Sequence, residues 1–587
     1  MHIFKTIIAV CLIANLGLKA QHNPFLPEHT LQHIMYLSSD ELAGRYAGTE
    51  GDELAASYIR DRFSVYGMEL MFSNGYQSFD VITGVELREG NSFTTKNFEA
   101  VIEQDYIPLS FSANAEATGQ VVFAGYGIVM PGGWNDFSNI DATGKWVLAM
   151  IDDPEPENPQ SEFIAYASDR MKAINARDHG AAGLLLVKGP SVEKEDKLMP
   201  AYYDKTASDA GIPVINITRK LANHLITGRG FNIEDLEKEL QSSKQPFSFD
   251  AYTDVTANVS LGYKTVSTQN VVAMLPGKHP QLKNEYIVIG AHYDHLGMGG
   301  TGSGSRMPDS IAVHYGADDN ASGVAALLEV ASRFAADNTD FIRSVIFVAF
   351  GAEEMGLVGS KYFVENAPVP ANQIKAMINL DMIGRLKDEN VLTVGGTGTA
   401  AEFDEILSKL EAGLPFTLNR QPDGYGPSDH AAFYASSIPV LFVTTGPHED
   451  YHTPLDTWDR LNTSGLVAIQ EFVFDIASHI ANMDEALTFT ESGAMARRGH
   501  GRGYKITLGI IPDVASSKNG LGVDGVRNGG PAARAGILKG DVIIGMNGSP
   551  VGNIYEYMAR LNALTAGETV VVEVMRDGKK EVLLVQL

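Results

Sequence analysis

The fold is decided by GAHYDHLG (residues 290–297), HYGADDNASG (314–323) and VAFGAEEMGLVGS (348–360). The first and third of these stretches each end an apolar run, as in YIVIGAHYDH and SVIFVAFGAEE. Two more apolar runs, AMINLDMIG and IPVLFVTTG, follow at residues 376–384 and 438–446, and helical patterns separate the four. Strands that alternate with helices predict an α/β domain with a mostly parallel central sheet flanked by helices.

Charged side chains follow these predicted strands where each apolar run stops. His292 and Asp294 follow the first run, Glu353 and Glu354 the second, and Asp381 the third. In parallel α/β sheets, ligands bind beyond the carboxyl ends of the strands. The functional site is therefore expected at this edge of the sheet.

The whole chain has 587 residues, which predicts about three domains, and a formal net charge of −27, which disfavours nucleic acid as a partner. Residues 1–20 read as a secretory signal peptide, with a basic Lys5 before an apolar core. The only cysteine, Cys11, lies in that segment, so the mature chain is expected to have no disulfide. We predict export to the periplasm or the cell exterior, with no integral membrane segment after cleavage.

The predicted α/β domain is interrupted. Its parts are residues 21–104, which carry helical patterns, and residues 265–486. Residues 105–264 between them contain four short apolar strands, with a helical pattern, SDRMKAINARDHG, between the second and the third. The segments GYGI, GKWVLAM and HGAAGLLLV resemble the protease-associated domain that is inserted in several exopeptidases. That resemblance implies a lid or substrate-restricting role.

The C-terminal part begins with a basic, Gly-rich linker at residues 487–503. Residues 504–587 have a β-rich pattern, and GGPAARAG followed by GDVIIGMNG resembles bacterial PDZ domains. Such domains bind an extended peptide, often a protein C-terminus, at a sheet edge. Leu508, Gly509 and Ile510 are the predicted carboxylate-binding loop.

The charged residues could serve two adjacent metal ions, which need a bridging carboxylate, ligands on either side and a free base. The candidates are His292, Asp318, Glu353, Glu354, Asp381 and His452. Each alone is also explained as a polar strand end, a turn or a solvated pair. Their joint occurrence at successive strand ends indicates metal, because unpaired buried carboxylates are costly.

The motifs HYD, GADDNASG, EEMGLVGS, NLDMIGR and YHTPLDT are similar, in order and spacing, to those of the co-catalytic dizinc exopeptidases. That family includes bacterial aminopeptidases and glutamate carboxypeptidases. The resemblance implies the zinc-exopeptidase, phosphorylase/hydrolase-like fold and two Zn²⁺ ions per chain. Mn²⁺ or Co²⁺ also suits such nitrogen and oxygen ligands.

Carried over to this sequence, the resemblance implies that Asp318 bridges both ions and that Glu353 is the general base. One ion then adds His292 and Asp381, and the other adds Glu354 and His452. The remaining assignments are supporting ones: Asp294 accepts a hydrogen bond from the ring of His292, Asp319 shapes the loop, Tyr451 supports the oxyanion, and Ser428, Asp429 and His430 line the substrate pocket. Packing for Tyr451, and a capped turn for the last three, are the alternatives.

The predicted function is that of an exported metallo-exopeptidase that cleaves terminal peptide bonds of peptides or proteins through a water between two zinc ions. An aminopeptidase is the first expectation. A carboxypeptidase or a glutaminyl cyclase on the same fold remains an alternative. A second class is a non-catalytic peptide-binding protein that acts through its PDZ domain.

Overall fold

The computed structural model describes residues 25–96, 98–158, 160–199, 203–205, 208–336, 341–492, 506–513, 520–527 and 529–587. The predicted signal peptide, residues 1–20, and linker residues 493–503 lie outside these ranges. Among the described residues, no helix is both long and apolar enough to cross a membrane.

Two helices lie within residues 21–104 and others separate the central strands, as the helical patterns of the sequence predict. The α-helices are α1 (Pro27–Leu37), α2 (Glu50–Val65), α3 (Asp169–Asp178), α4 (Arg219–Ile226), α5 (Ile233–Ser243), α6 (Gly323–Ala336), α7 (Val358–Glu365), α8 (Phe403–Glu411), α9 (His430–Ala435), α10 (Thr463–Ala481), α11 (Pro531–Ala535) and α12 (Ile554–Asn562). Short 3₁₀ turns occur at Asp40–Leu42, Ile164–Tyr166, Thr227–Arg229, Leu282–Asn284, Ala371–Gln373 and Trp458–Arg460.

The strands form three separate sheets. In chain order they are β1 (Glu69–Leu70), β2 (Tyr76–Leu87), β3 (Ser92–Thr95), β4 (Phe98–Glu99), β5 (Tyr106–Pro108), β6 (Glu116–Ala124), β7 (Trp146–Met150), β8 (Gly183–Val187), β9 (Val214–Ile217), β10 (Ser248–Asn258), β11 (Leu261–Leu275) and β12 (Tyr286–His292). They continue as β13 (Ser344–Phe350), β14 (Ile374–Leu380), β15 (Val391–Gly395), β16 (Thr417–Arg420), β17 (Val440–Thr444), β18 (Ile510–Asp513), β19 (Leu521–Val526), β20 (Val542–Met546), β21 (Ser549–Pro550), β22 (Thr569–Arg576) and β23 (Lys579–Gln586).

The first sheet has the order β1-β11-β13-β12-β14-β17-β15-β16, with β2 paired to β11. Its four central strands, β13, β12, β14 and β17, are parallel, whereas β11 and β15 join them antiparallel. The prediction of an α/β fold with a mostly parallel central sheet is confirmed. The carboxyl ends of the four parallel strands share one edge.

Helices cover both faces of this sheet, which explains why its central strands are almost wholly apolar. On one face α1, α2, α6, α8 and α10 pack in a core that contains Phe63, Leu327 and Phe472. On the other face α7 and α9 pack around Phe363 and Phe433. With apolar layers on both sides, the polar side chains of the domain collect at the ends of the strands.

The second sheet has the order β4-β3-β10-β6-β7-β8-β9-β5, and β6 to β9 are parallel neighbours. Helix α3 lies between β7 and β8 in the chain, as the sequence pattern predicts. The antiparallel pair β2 and β11 carries the chain out of the first sheet and back. The second sheet has its own apolar core around Trp146, Leu185 and Ile215.

The third sheet, β18-β19-β20-β22-β23 with β21 beside β20, is antiparallel and packs on α11 and α12. This C-terminal region forms ion pairs with helices that pack on each of the other two sheets. Arg177 of α3 reaches Glu556 of α12 at 2.5 Å, and Lys361 of α7 reaches Asp513 of β18 at 3.3 Å.

Candidate metal centre

The ends of three neighbouring strands position the charged residues. His292 is the last residue of β12, Asp381 comes directly after β14, and Glu353 and Glu354 follow three and four residues after β13 ends at Phe350. The three strands are adjacent and parallel, so their ends meet at one point. The sequence prediction of a site at this edge agrees with that placement.

Asp319 lies at the middle of the cluster. Its Oδ1 atom is 3.3 Å from Nε2 of His292, and its Oδ2 atom is 3.2 Å from Nε2 of His452. The side chain is 3% exposed. One carboxylate whose two oxygens face two different imidazoles has the arrangement of a bridge between two metal ions.

The structure contradicts the prediction that Asp318 is the bridging residue. Its Oδ1 accepts hydrogen bonds from the backbone N–H of Gly384 (2.6 Å) and from the hydroxyl of Ser322 (3.0 Å). Its Oδ2 lies 3.3 Å from Nε2 of His448. The backbone leaves the helical conformation at Asp319 (φ −104°, ψ 93°), so the two adjacent carboxylates point to different sides, and Asp319 takes the place predicted for Asp318.

Two groups of possible ligand atoms surround Asp319. One consists of His292, Glu353 and Asp381, and the other of His295, Asp319 and Glu354; within each group the ligand atoms lie within 4.8 Å of one another. Oδ1 of Asp381 is 3.5 Å from Nε2 of His292, and Oε1 of Glu354 is 3.3 Å from Nε2 of His452. The residues predicted to hold the two ions, apart from Asp318, are therefore brought together.

Backbone carbonyls orient both imidazole rings. Nδ1 of His292 is 3.2 Å from the carbonyl of Asp294, and Nδ1 of His452 is 3.1 Å from the carbonyl of Gly304. A hydrogen bond at Nδ1 leaves Nε2 as the metal-binding atom. The prediction that the Asp294 carboxylate holds His292 needs correction, because Oδ1 is 3.8 Å away and accepts instead from the N–H of Glu353 (2.9 Å).

The charges of the site attract cations strongly. Burial and neighbouring Asp319 would raise the pKa of Glu354, but hydrogen bonds from His295 and His452 bring it to about 2. Burial would lower the pKa of His452, yet its bonds to the same carboxylates raise it to about 10. Within the described residues, the buried Oδ1 atom of Asp381 has no hydrogen-bond partner. A buried carboxylate cluster with such an atom fits divalent cations held by oxygen and imidazole.

Two parts of the chain match known protein families. Residues 270–477 match the model of peptidase family M28, and residues 507–587 match the PDZ domain model. We refer to residues 270–477 as the M28 domain, after the family model that they match. The motif-based prediction of a dizinc exopeptidase family with a C-terminal PDZ domain is thereby confirmed.

Individual relatives are more distant. The chain is 26% identical over 306 residues to aminopeptidase YwaD of Bacillus subtilis, covering 50% of this chain and 56% of that protein. It is 25% identical over 306 residues to leupeptin-inactivating enzyme 1 of Streptomyces exfoliatus, covering 49% and 64%. The match thus spans less than two thirds of either relative's length. The solved aminopeptidase from Aneurinibacillus sp. strain AM-1 aligns with a TM-score of 0.49 and 22% identity, covering 79% of this chain and 95% of that one.

The carboxyl group of Glu353 lies among other buried carboxylates of the M28 domain. Burial raises the pKa of its carboxyl well above the usual range, and the nearby Glu354, Asp429 and Asp381 add to this effect while His292 opposes it. The backbone of Glu353 is held in place, because its N–H donates to Oδ1 of Asp294 and its carbonyl accepts from the N–H groups of Gly356 and Leu357. Its position among the candidate ligand atoms is compatible with a general base, and that role stays a prediction.

Tyr451 stacks on His452 in the M28 domain, with ring centroids 3.8 Å apart and planes 23° apart. Burial and the carboxylates around it, first Asp319, raise the pKa of its hydroxyl, so this group stays protonated and can donate a hydrogen bond. Both predicted roles, oxyanion support and ring packing, are compatible with that position.

Ser428, Asp429 and His430 lie in the interior of the M28 domain, each at most 1% exposed, and not on an open pocket wall. His430 stacks on Phe442, and burial lowers its pKa to about 3. Ser428 is 2.7 Å from the side-chain nitrogen of Asn379. Only Asp429 faces the site: burial raises its pKa to about 7, with Asp381 as a further cause and His292 opposing.

Two residues at the candidate metal centre, His295 and Lys205, were not predicted from the sequence. His295 has its Nδ1 2.9 Å from Oε1 of Glu354, and the signal for it was the second imidazole in HYDH. Lys205, from the region of the second sheet, donates from Nζ to the carbonyls of Glu354 (2.8 Å) and Ser303 (2.9 Å). No local signal marks Lys205, because its contacts are 98 and 149 residues away in the chain.

The predicted PDZ loop is divided between a core and a cavity. Leu508 is fully buried in the apolar core of the third sheet, and its carbonyl accepts from the N–H of Ala532. Gly509 and Ile510 line a cavity of about 740 Å³ that the M28 domain closes on its other side with Tyr425, among others. A peptide-binding role for these residues stays a prediction.

Proposed function

We propose that this chain is a metal-dependent exopeptidase, an aminopeptidase that hydrolyses the first peptide bond of peptides or proteins. The observation that carries the proposal is the Asp319 carboxylate, with one oxygen 3.3 Å from His292 and the other 3.2 Å from His452. Relatives named as aminopeptidases support the choice among exopeptidases. The alternatives become outcomes of the test below.

In this proposal His292 and Asp381 hold one ion, Glu354 and His452 hold the other, and Asp319 is shared. Two Zn²⁺ ions, when bound, supply positive charge that polarises a scissile carbonyl and acidifies a water molecule near them. Mn²⁺ or Co²⁺ would suit the same oxygen and nitrogen atoms. Zinc is the first choice because the motifs around these residues resemble those of the dizinc exopeptidases.

The chain's own residues then move the proton and orient the substrate. Glu353 accepts a proton from the attacking water and returns it to the leaving amine. The hydroxyl of Tyr451 donates a hydrogen bond to the developing oxyanion.

The other regions take supporting roles in the proposal. Residues 105–264 are a protease-associated domain that restricts access to the site, which the reach of Lys205 to the carbonyl of Glu354 supports. Residues 504–587 bind a peptide or protein C-terminus, as other PDZ domains do. Residues 1–20 direct export to the periplasm or the exterior.

The test is a panel of matched substrates assayed with and without a chelator. A chromogenic aminoacyl amide with a free α-amine should be hydrolysed, its N-acetylated counterpart should not, and chelation should abolish turnover until Zn²⁺ is restored. Cleavage of an N-blocked peptide at a free C-terminus would indicate a carboxypeptidase. Cyclisation of an N-terminal glutaminyl peptide without hydrolysis would indicate a cyclase, and no metal-dependent turnover at all would leave the PDZ-binding alternative.

A further inference from the structure

His295 is a third imidazole at the metal centre. It is 1% exposed, and its Nδ1 lies 2.9 Å from Oε1 of Glu354 and 3.8 Å from Oδ2 of Asp319. Nε2 of His452 lies 3.3 Å and 3.2 Å from the same two oxygen atoms. Two imidazole nitrogens and two carboxylate oxygens therefore face one another.

The four separations can be compared with those of ligands around a zinc ion. Ligand nitrogen and oxygen atoms lie about 2.0–2.2 Å from Zn²⁺ in tetrahedral sites, so neighbouring ligand atoms are about 3.3–3.6 Å apart. The observed separations of 2.9, 3.2, 3.3 and 3.8 Å lie on both sides of this range. Small rotations of the side chains would bring all four atoms to a common ion.

Among the described residues, the His295 ring has its polar contacts only with the candidate metal ligands. Within the described residues, its buried Nε2 has no hydrogen-bond partner, so its polar contacts are those to Glu354 and Asp319. Gly316 makes room for the ring, because a Cβ atom there would lie 2.6 Å from Cδ2 of His295. A buried histidine with only a packing role would be expected to form its hydrogen bonds with groups other than the metal ligands.

We propose that His295 is a fourth protein ligand for the ion held by Asp319, Glu354 and His452. This inference rests on the proposed function, and it makes the two ion sites unequal. The site with His295 has four protein ligands, the number typical of closed zinc sites, whereas the site of His292, Asp381 and Asp319 has three and keeps a position open. The closed site binds its ion more tightly and fills first.

The size of the loss in metal affinity when His295 is removed shows whether it is a ligand or a residue that only orients a ligand. Loss of a group that only orients a ligand costs about 10–100-fold in metal affinity. Loss of a ligand from the closed site should weaken the tighter of the two Zn²⁺ binding steps by more than about 100-fold. His295→Gln keeps a polar side chain and removes the imidazole.

The experiment uses the full chain labelled with ¹⁵N-histidine, stripped of metal and loaded with ¹¹³Cd²⁺. Three imidazole nitrogens split by coupling to cadmium are expected in the wild type and two in His295→Gln. The matched control is His314→Gln, because His314 is also buried, lies 6.5 Å from His295 between ring centroids, and is bound instead to Ser305. Titration with Zn²⁺ against a competing chelator then measures both binding steps, and circular dichroism checks the fold.

The control should keep three split nitrogens and both Zn²⁺ affinities. Only two split nitrogens in the wild type would overturn the proposal, as would a loss of less than 100-fold in His295→Gln, and the residue would then be a positioning residue. A wild type that binds fewer than two ions would instead count against the proposed function. The two failures are therefore distinguishable.

Discussion

Substitution of Asp319 by asparagine tests which of the two adjacent aspartates, Asp318 or Asp319, bridges the metal ions. The carboxylate of Asp319 has one oxygen 3.3 Å from His292 Nε2 and the other 3.2 Å from His452 Nε2. An asparagine side chain has one acceptor oxygen, and its amide nitrogen only donates, so it can serve one ion at most. Asp319→Asn should therefore bind one Zn²⁺ per chain where the wild type binds two.

The loss of turnover follows from the loss of that ion. Polarisation by a metal ion is worth several kcal/mol in the transition state. A loss of about 4 kcal/mol corresponds to about a 10³-fold lower kcat/KM. The assay is hydrolysis of an aminoacyl amide, with the metal content of the same sample measured by mass spectrometry after gel filtration.

Asp318→Asn is the matched comparison. Its amide oxygen can still accept the hydrogen bond from the N–H of Gly384, and only the charge that faces His448 is lost. We expect two ions, kcat/KM within about tenfold of the wild type, and a free energy of unfolding lower by about 1–3 kcal/mol. The reasoning is refuted if Asp318→Asn loses an ion while Asp319→Asn keeps both.

Three further substitutions test other parts of the structure. Glu353→Gln should keep both metal ions and lower kcat by about 10²–10⁴-fold, since it removes the base but not a ligand; retained kcat in a two-metal sample would count against the base. Lys205→Met removes two hydrogen bonds to backbone carbonyls at the site and should lower kcat/KM by about tenfold, worth about 1.4 kcal/mol, whereas the surface control Lys238→Met should not change it. Burial raises the pKa of Asp136 to about 7 from 3.8, so the folded chain binds a proton that the unfolded chain has released. The free energy of unfolding should therefore fall as the pH rises from about 4 to about 7, by up to about 4 kcal/mol, and denaturant titrations of Asp136→Asn should lack this part of the fall.

Much of the site could be predicted because it is built on regular strands. His292, Glu354 and Asp381 follow apolar runs, and the parallel order of β13, β12 and β14 brings those ends together. The helices on both faces leave that edge as the place for polar groups. The predicted fold class and the closeness of these three candidate ligands follow from this physical arrangement.

Local backbone geometry and long-range contacts account for what could not be predicted. Asp318 and Asp319 are adjacent and chemically identical, and only the turn at Asp319 decides which carboxylate faces the histidines. His295 lies in the loop after β12, where no strand or helix periodicity indicates which way a side chain faces. Lys205 reaches the site from a different sheet region, through contacts that no local motif encodes.

The central claim, a hydrolase that needs two ions shared by Asp319, is tested most directly by metal titration of activity. The full chain is stripped with a chelator and dialysed, and Zn²⁺ is added in fractions of an equivalent while hydrolysis of an aminoacyl amide is followed. We predict little turnover up to one equivalent, a rise between one and two equivalents, and a plateau at two. Full activity at one equivalent, or activity that persists in the stripped chain, would contradict the account.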